Sequence, residues 1–207
     1  MVSRLTEQIE RFYQSDKEDI QERMRKLAEV FLYGGYINVR DRYHIYIRTV
    51  EFYYHEEEGS IKDKKMYHRN NYRIEGEIPY YRTLAFNSHD SGVDITFENE
   101  QKRVRAAVLI RAYEILDVNS TNRLIWNKAK QQFQVSNGQE KPNYNTQSLY
   151  LKNFLNGFSS KGQPDIYWVD VPFKEEVKQT DIIAVKRKGL KDGREWGFRR
   201  EREIVLE

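Results

Sequence analysis

The sequence has 207 residues, enough for one sizeable domain with its own core. With 39% hydrophobic residues, 32% charged residues and a formal net charge of +3, we predict a soluble chain, and no apolar run approaches the roughly 20 residues that span a membrane. The lack of cysteine excludes disulfides, thiolate metal sites and cysteine nucleophiles. The acidic, amphipathic N-terminus is not typical of a signal peptide, so we expect a cytoplasmic protein.

An amphipathic pattern predicts two N-terminal helices, at about 4–14 and 16–32. Ser15 and Glu18 form a candidate capping box at the start of the second helix, and Gly34-Gly35 ends it. The apolar residues at helical spacing are Leu5, Ile9, Phe12, Ile20, Met24, Leu27, Val30 and Phe31.

From Tyr36 onward the hydrophobic period changes to two, which predicts strands. The predicted strands lie at 36–41, 43–55, 80–86, 91–98, 104–116, 165–171, 181–190 and 195–206. The sheet core therefore covers about 36–116 and 165–206, and a helical insert is predicted at about 120–157, from TNRLIWNKAKQQFQV and NTQSLYLKNFLNG. We predict a single α+β domain over 1–207, with a curved, mostly antiparallel central sheet flanked by helices.

One acid lies inside an apolar and aromatic stretch, RTVEFYYHEEEG at 48–59. Unbroken alternation along this strand places Glu51 on the same face as Ile45 and Ile47, where water is scarce. A carboxylate there must be paired, neutralised or functional, because an unpaired buried charge costs several kcal/mol. Two roles stay open for Glu51: a general base that activates water, and a structural acid paired with an arginine of a neighbouring strand.

Arg111 interrupts AAVLI-R-AYEIL, a strand that is otherwise apolar on both faces. We expect its side chain to be buried and paired, because an isolated charge is costly in such a place. Arg111 and Glu51 are predicted to face one another across the sheet. A structural ion pair and a catalytic pair that holds a water molecule are equally consistent with this pattern.

Other sites of chemistry find little support in the sequence. The four histidines, at 44, 55, 68 and 89, show no spacing typical of metal ligands, so no metal is predicted. Ser88, His89 and Asp90 are adjacent on a loop and cannot assemble a triad. Neither a P-loop nor a GxGxxG motif occurs, so no cofactor is predicted.

The C-terminal part of the chain is locally basic. Between 186 and 202 there are eight Lys and Arg residues against Asp192, Glu195 and Glu201. Such a run is typical of an edge that binds a polyanion, and also of an exposed hairpin with charged edges. The candidate DNA-binding residues of this run are Lys186, Arg187, Lys188 and Arg194.

Several segments, in chain order, resemble the alkyladenine (3-methyladenine) DNA glycosylase family. LAEVFLYGGYINV resembles the helix that leads into the family's first strand, and RTVEFYY resembles the strand that carries the family's Glu and Tyr. AAVLIRAYEI is the most specific segment, and IIAVKRKGLKDGREWGFRR resembles the closing strands. The likeness covers roughly 26–116 and 180–200.

The resemblance implies a monomeric enzyme that flips an alkylated or deaminated purine nucleotide out of double-stranded DNA and hydrolyses its N-glycosidic bond without a metal. It implies that Glu51 activates the attacking water and that Arg111 helps to hold it. Tyr53 would stack on the flipped base, and His68 would either contact the nucleotide or bracket the pocket. Aromatic faces must replace the stacking that flipping removes, each worth about 1–3 kcal/mol.

Two positions depart from the family's pattern. Leu84 stands where the family has a stacking tyrosine, and Asp94 stands where it has an asparagine that discriminates between purines. The residue that wedges into the duplex would be Phe86 or Asn87. Phe86 could fill this role because apolar side chains serve as wedges elsewhere. These departures bear on substrate choice more than on the fold.

Three classes of function therefore stay open. The first is a base-excision glycosylase that acts on DNA, in the cytoplasm at the nucleoid. The second is a nucleic-acid-binding module that keeps the sheet and the basic edge without catalysis. The third is an interaction protein in which Glu51 and Arg111 form a buried ion pair alone.

Overall fold

A computed structural model of the chain describes residues 2–15, 17–66, 81–89, 91–139, 142, 144–156, 166–173 and 176–202. Within these residues three α-helices accompany one sheet of ten strands, and every strand pairing is antiparallel. The combination of helices with one curled antiparallel sheet confirms the predicted single-domain α+β fold. None of the helices in the described residues is long and apolar enough to cross a membrane.

The described elements follow one another from two helices into the sheet. The helices are α1 (Arg4–Gln14), α2 (Ile20–Tyr33) and α3 (Ser148–Asn156). The strands are β1 (Gly35–Val39), β2 (Tyr43–Glu56), β3 (Thr83–His89), β4 (Gly92–Phe97), β5 (Val104–Asp117), β6 (Asn122–Asn127), β7 (Gln132–Val135), β8 (Ile166–Asp170), β9 (Ile182–Val185) and β10 (Gly197–Arg200).

Two long strands, β2 and β5, form the spine of the sheet, and each has 14 residues. The main path runs β3-β4-β5-β2-β1-β8. On the edge of β2 that faces away from β5, β1 pairs with the first part of the strand and β10 with a later part. On the edge of β5 that faces away from β2, β4 pairs with the first part of the strand and β6 with the last part. The spine therefore holds strands from both ends of the chain.

The helices cover one face of the sheet, which we call the core face. Phe52 of β2 lies at its centre, with its ring 5.8 Å from that of Phe97 and 5.6 Å from that of Phe198. Phe12 of α1 packs edge-on against Phe97 at 5.3 Å. Such edge-to-face contacts add about 0.5–1.5 kcal/mol each to the burial of the rings, so the aromatic core ties α1 to three strands.

The N-terminal helices are confirmed, but α2 begins four residues later than predicted. Its cap is Asp19, whose carboxylate accepts the backbone N–H of Gln21 at 3.0 Å. Ser15 instead closes α1, because both its N–H and its hydroxyl bond to the carbonyl of Arg11. The serine that resembles an N-cap is therefore used at the end of the preceding helix.

The predicted helix within 120–157 is wrong for its first half, which forms the hairpin of β6 and β7. Trp126 faces Phe133 across this hairpin, and its ring stacks on Tyr150 of α3 at 4.0 Å. The Asn127 side chain accepts two backbone N–H groups of the turn, which fixes the reversal of the chain. Pairing with β5 and packing against α3 outweigh a helical spacing that the segment also satisfies. The second predicted helix, α3, is present.

The last two strands are shorter than the predicted 181–190 and 195–206. Ladder pairing joins Ile182–Val185 to Gly197–Arg200, and residues 186–196 form a long connection between them. Lys191-Asp192-Gly193 therefore lies within this connection and does not form a tight hairpin turn between the two strands. Residues 203–206 lie outside the described part of the chain.

A double irregularity interrupts the pairing of β2 with β5. Ile47 lies opposite Tyr113 and Val50 lies opposite Ile110, so two residues on each strand separate consecutive core-facing pairs. In β2 the two residues between these core-facing positions are Arg48 and Thr49, where regular alternation would have one. Beyond it the even-numbered residues face the core, whereas before it the odd-numbered ones do. Side chains after the irregularity are thus inverted relative to unbroken alternation.

Gly92 illustrates a position where the backbone requires glycine. Its φ is +139°, and a Cβ there would lie 1.8 Å from the hydroxyl oxygen of Ser148, which accepts the N–H of Val93. Gly92→Ala should lower the free energy of unfolding in urea by about 2–3 kcal/mol. The matched control is Gly138→Ala, at φ +78° with open space around it, and it should cost about 1 kcal/mol. Equal losses would contradict the steric explanation.

Candidate active site

Glu51 lies on the face of the sheet opposite the helices, which we call the second face. The prediction that it shares a face with Ile45 and Ile47 is wrong, because the irregularity in β2 inverts the alternation between them. Its side chain is nevertheless buried, with 3% exposed. The acid is therefore shielded from water by other polar side chains on the second face, and not by the apolar core.

Two side chains and one backbone group hold the carboxylate of Glu51. Arg111 places Nη2 2.7 Å from Oε2, and the Tyr53 hydroxyl donates to the same oxygen at 3.1 Å. The backbone N–H of Lys188 donates to Oε1 at 2.6 Å. Three charge-assisted contacts of this kind fix both the position and the orientation of a carboxylate. The contact between Glu51 and Arg111 that the sequence predicts is thus present.

Arg111 is more exposed to solvent than the acid that it contacts. Its side chain is 21% exposed, and its Nε is buried without a hydrogen-bond acceptor among the described residues. Burial alone would lower the pKa of Arg111, but the hydrogen bond and the charge of Glu51 outweigh burial and raise it. The guanidinium therefore stays charged, and the exposed part of the side chain can contact a water molecule or a ligand.

Tyr53 acts here as a donor. Burial raises the pKa of its phenol, and the negative charge of Glu51 raises it further. The hydroxyl is therefore protonated at neutral pH. The guanidinium carbon of Arg187 lies 4.8 Å from the centroid of the Tyr53 ring, a cation–π distance.

A row of residues crosses the sheet at the level of Glu51. In strand order from β3 to β10 it consists of Asn87, Asp94, Leu109, Glu51 and Gly197. Adjacent strands lie about 4.8 Å apart, so the backbones at the two acids are separated by about 10 Å. Asp94 is buried like Glu51, and both acids lie on the second face. The two predicted residues Asn87 and Asp94 therefore lie on the same face as the predicted catalytic pair.

Leu84 and Phe86 do not reach this face. Phe86 pairs with Ile95 and packs, together with Leu84, against the apolar core cluster. Leu84 has a positive φ of +57° at an irregularity of β3, where the Thr96 hydroxyl accepts the N–H of Ala85. Both side chains pack against the core cluster and not on the face of Glu51, so the wedge role of Phe86 and the base-stacking position of Leu84 stay predictions.

The basic run divides into exposed and buried members. Lys186 and Lys188 are exposed, and Arg194 is half-buried with its guanidinium 4.4 Å from the Trp196 ring. Arg187 is buried and binds Asp63, at 2.5 Å, and Asp192. Its prediction as a DNA contact is wrong, since a guanidinium enclosed by two carboxylates cannot face a phosphate.

Two buried ionic clusters on the second face escaped the sequence-based prediction. Glu114 contacts Arg48 at 2.8 Å, as well as Arg200 and Arg123. Arg105 contacts Glu57 at 2.9 Å and Glu98 at 3.3 Å. The available signal was the same as for Glu51, a charge within an apolar strand, and it occurs in YIRTVEF and in AYEIL.

The remaining predicted site residue, His68, lies outside the described residues. In the part of the chain that is described, no group of three or more His, Asp or Glu side chains is arranged to hold a metal ion. The geometry offers a carboxylate oriented by a partly exposed arginine and a phenol, which is an arrangement suited to activating water. No protein-family model matches the chain, and no curated protein and no solved structure matches it significantly.

Proposed function

We propose that this chain is a monofunctional DNA glycosylase, which hydrolyses the N-glycosidic bond of a damaged purine nucleotide flipped out of duplex DNA. The observation that carries the proposal is the meeting of Glu51, Arg111 and Tyr53 at one place on the second face. These are the residues to which the family resemblance gives the roles of base, water holder and stacking ring. Their sequence positions alone did not require them to touch.

In the proposed reaction, a water molecule lies beside the Glu51–Arg111 pair, where both side chains can bind it. Its oxygen bonds to the anomeric carbon of the sugar, the carbon–nitrogen bond breaks, and the bonding electron pair leaves with the base. Glu51 accepts the proton of the water, and the departing base takes a proton from solvent. Positioned proton transfer of this kind contributes about 10²–10⁴-fold to a rate.

Substrate binding involves the row of residues at the level of Glu51. We assign Tyr53 as the ring that stacks on the extruded base, and Asn87 and Asp94 as polar groups that meet its edge. A carboxylate accepts hydrogen bonds only, so Asp94 favours bases that present an N–H donor. We further propose that the protein acts as a monomer in the cytoplasm, at the nucleoid.

A second candidate function is nucleic-acid binding without catalysis. It is favoured by the fact that both oxygens of Glu51 already accept hydrogen bonds, one of them from the backbone of Lys188. It is favoured also by the packing of Phe86 and Leu84 against the core cluster, on the face of the sheet opposite Glu51. In that case the Glu51–Arg111 pair would serve to hold β2 and β5 together.

The proposal is tested by incubating the protein with three duplex oligonucleotides, containing hypoxanthine, ethenoadenine or 3-methyladenine. We expect an abasic site, detected as a strand break after alkali, in at least one of them and none in the undamaged duplex. No cleavage of any of the three, with duplex binding intact, would reject the glycosylase and support the binding module. Neither cleavage nor binding would reject both functions.

A further inference from the structure

Six exposed lysines lie on two connections of the second face. The first connection is residues 57–66, which follow β2, and the second is residues 186–196, between β9 and β10. Together we call their exposed side the lysine surface. Its members are Lys62, Lys64, Lys65, Lys186, Lys188 and Lys191.

One buried ion pair and one exposed hydrogen bond join the two connections into one surface. Arg187 of the second connection binds Asp63 of the first at 2.5 Å, although the two residues are 124 positions apart. Arg194 donates to the carbonyl of Lys62 at 3.0 Å. Asp192 binds Nη2 of the Arg187 guanidinium, and this contact lies within the second connection. The lysines that the sequence places far apart are therefore neighbours.

The positive charge of the lysine surface is not compensated locally. The two connections contain eight Lys and Arg residues against five Asp and Glu residues. Four of these acids are already bound to arginines, and they are Glu57, Glu58, Asp63 and Asp192. Within the described part of the chain, none of the six lysines forms an ion pair, and the ammonium of Lys62 binds two backbone carbonyls.

We propose that the lysine surface binds the sugar–phosphate backbone of duplex DNA. A dense group of uncompensated lysines fits a linear polyanion, which gains affinity by releasing counterions. None of the large hydrophobic side chains exposed in the described residues belongs to either connection, so a lipid surface, which takes up apolar groups, fits less well. The choice of DNA as the polyanion rests on the proposed function.

Lys188 places this surface directly beside the candidate catalytic acid. Its backbone N–H binds Oε1 of Glu51 at 2.6 Å, while its side chain is exposed with the other lysines. A backbone bound to the lysine surface would therefore pass close to Glu51. Lys62, Lys64 and Lys65 extend the surface beyond the basic run that the sequence predicted.

The test measures binding of an undamaged 20-base-pair duplex by fluorescence anisotropy between 50 and 200 mM salt. Lys64→Gln/Lys65→Gln and Lys186→Gln/Lys191→Gln should each weaken binding at least tenfold at low salt. Each should also reduce the slope of log K against log salt by about 2, one for each phosphate that is no longer neutralised. The matched control is Lys128→Gln/Lys130→Gln, two exposed lysines of the β6–β7 turn, which should leave affinity within twofold.

An equal loss in the control pair, or unchanged affinity in both surface pairs, would overturn the proposal. So would binding to phosphatidylglycerol vesicles without binding to DNA. Because the duplex is undamaged and no turnover is measured, the result is separate from the proposed catalysis. Weakened binding in the surface variants of a protein that cleaves no lesion would uphold the surface and reject only the glycosylase.

Discussion

Glu51→Gln should slow release of a damaged base by about 10²–10⁴-fold, because an amide cannot accept the proton of the attacking water. Its side chain keeps the shape of the acid, and its single amide oxygen can still accept the N–H of Lys188, while Tyr53 and Arg111 lose their acceptor oxygen. Binding of the lesion duplex should therefore stay within a few-fold of the wild-type value. Single-turnover cleavage and anisotropy on the same preparation measure the two quantities.

The matched control for this variant is Glu58→Gln, which makes the same chemical change in the turn after β2. Glu58 is 73% exposed and pairs with the partly exposed Arg103, so neither cleavage nor stability should change measurably. A loss of binding in Glu51→Gln equal to its loss of cleavage would indicate a structural role for the acid and contradict the catalytic one.

Arg187→Met should lower the free energy of unfolding by about 3–5 kcal/mol, the usual cost of removing one partner from a buried ion pair. Asp63, which is 2% exposed, would be left buried without its guanidinium, and the carbonyl of Phe52 would lose a donor at 3.2 Å. Urea denaturation followed by fluorescence measures the change. The control is Arg199→Met, an exposed pair with Glu201, which should cost less than about 1 kcal/mol.

A double variant separates the buried charge from loss of packing. In Asp63→Leu/Arg187→Met the uncompensated carboxylate is gone, and replacing both partners of a buried pair by apolar groups is often nearly neutral. We therefore expect the double variant to recover most of the stability that Arg187→Met removes. A single variant that loses less than about 1 kcal/mol would contradict the role of Arg187 in joining the two connections.

The same ion pairs give the fold a dependence on acid. Burial alone would raise the pKa of Asp192, but the hydrogen bond and the charge of Arg187 outweigh burial and lower it. A carboxylate with a lowered pKa in the folded state stabilises the protein above its ordinary pKa of about 3.9. This contribution is lost as the pH falls below that value, and Arg187→Met should lack it.

The helices and most strands could be predicted because each has a strong local signal. Phe12 and Leu27 recur at helical spacing, and the stretch around Phe52 alternates as a strand should. The segment around Trp126 was misassigned, since its apolar spacing suits a helix while its rings are used across a hairpin and against α3. Tertiary packing decided between two local patterns that the sequence leaves nearly equal.

The candidate site was predicted in part, and for a reason that proved incomplete. A charge within an apolar strand correctly indicated that Glu51 is buried and that it is paired with Arg111, although the Arg111 side chain is 21% exposed. The face on which they lie could not be deduced, because the irregularity after Ile47 has no signature in the residues themselves. Alternation along a strand predicts the face on which a side chain lies only where the pairing with the neighbouring strand is regular.

The basic run shows a further limit of reasoning from composition. Arg187 stands between Lys186 and Lys188, yet it is buried while both lysines are exposed. Its burial depends on Asp63, a residue of a distant loop, and no local pattern links the two. The same long-range contact brings Lys64 next to the run, which net charge along the sequence does not reveal.

The central claim is that Glu51 serves hydrolysis of an N-glycosidic bond. Its most direct test is the ratio of single-turnover rate constants for base release by the wild-type protein and Glu51→Gln, measured on the hypoxanthine, ethenoadenine and 3-methyladenine duplexes at saturating protein. We predict a ratio of about 10²–10⁴ on at least one lesion. Equal rates for the two proteins, or no release by the wild type from any of the three duplexes, would contradict the claim.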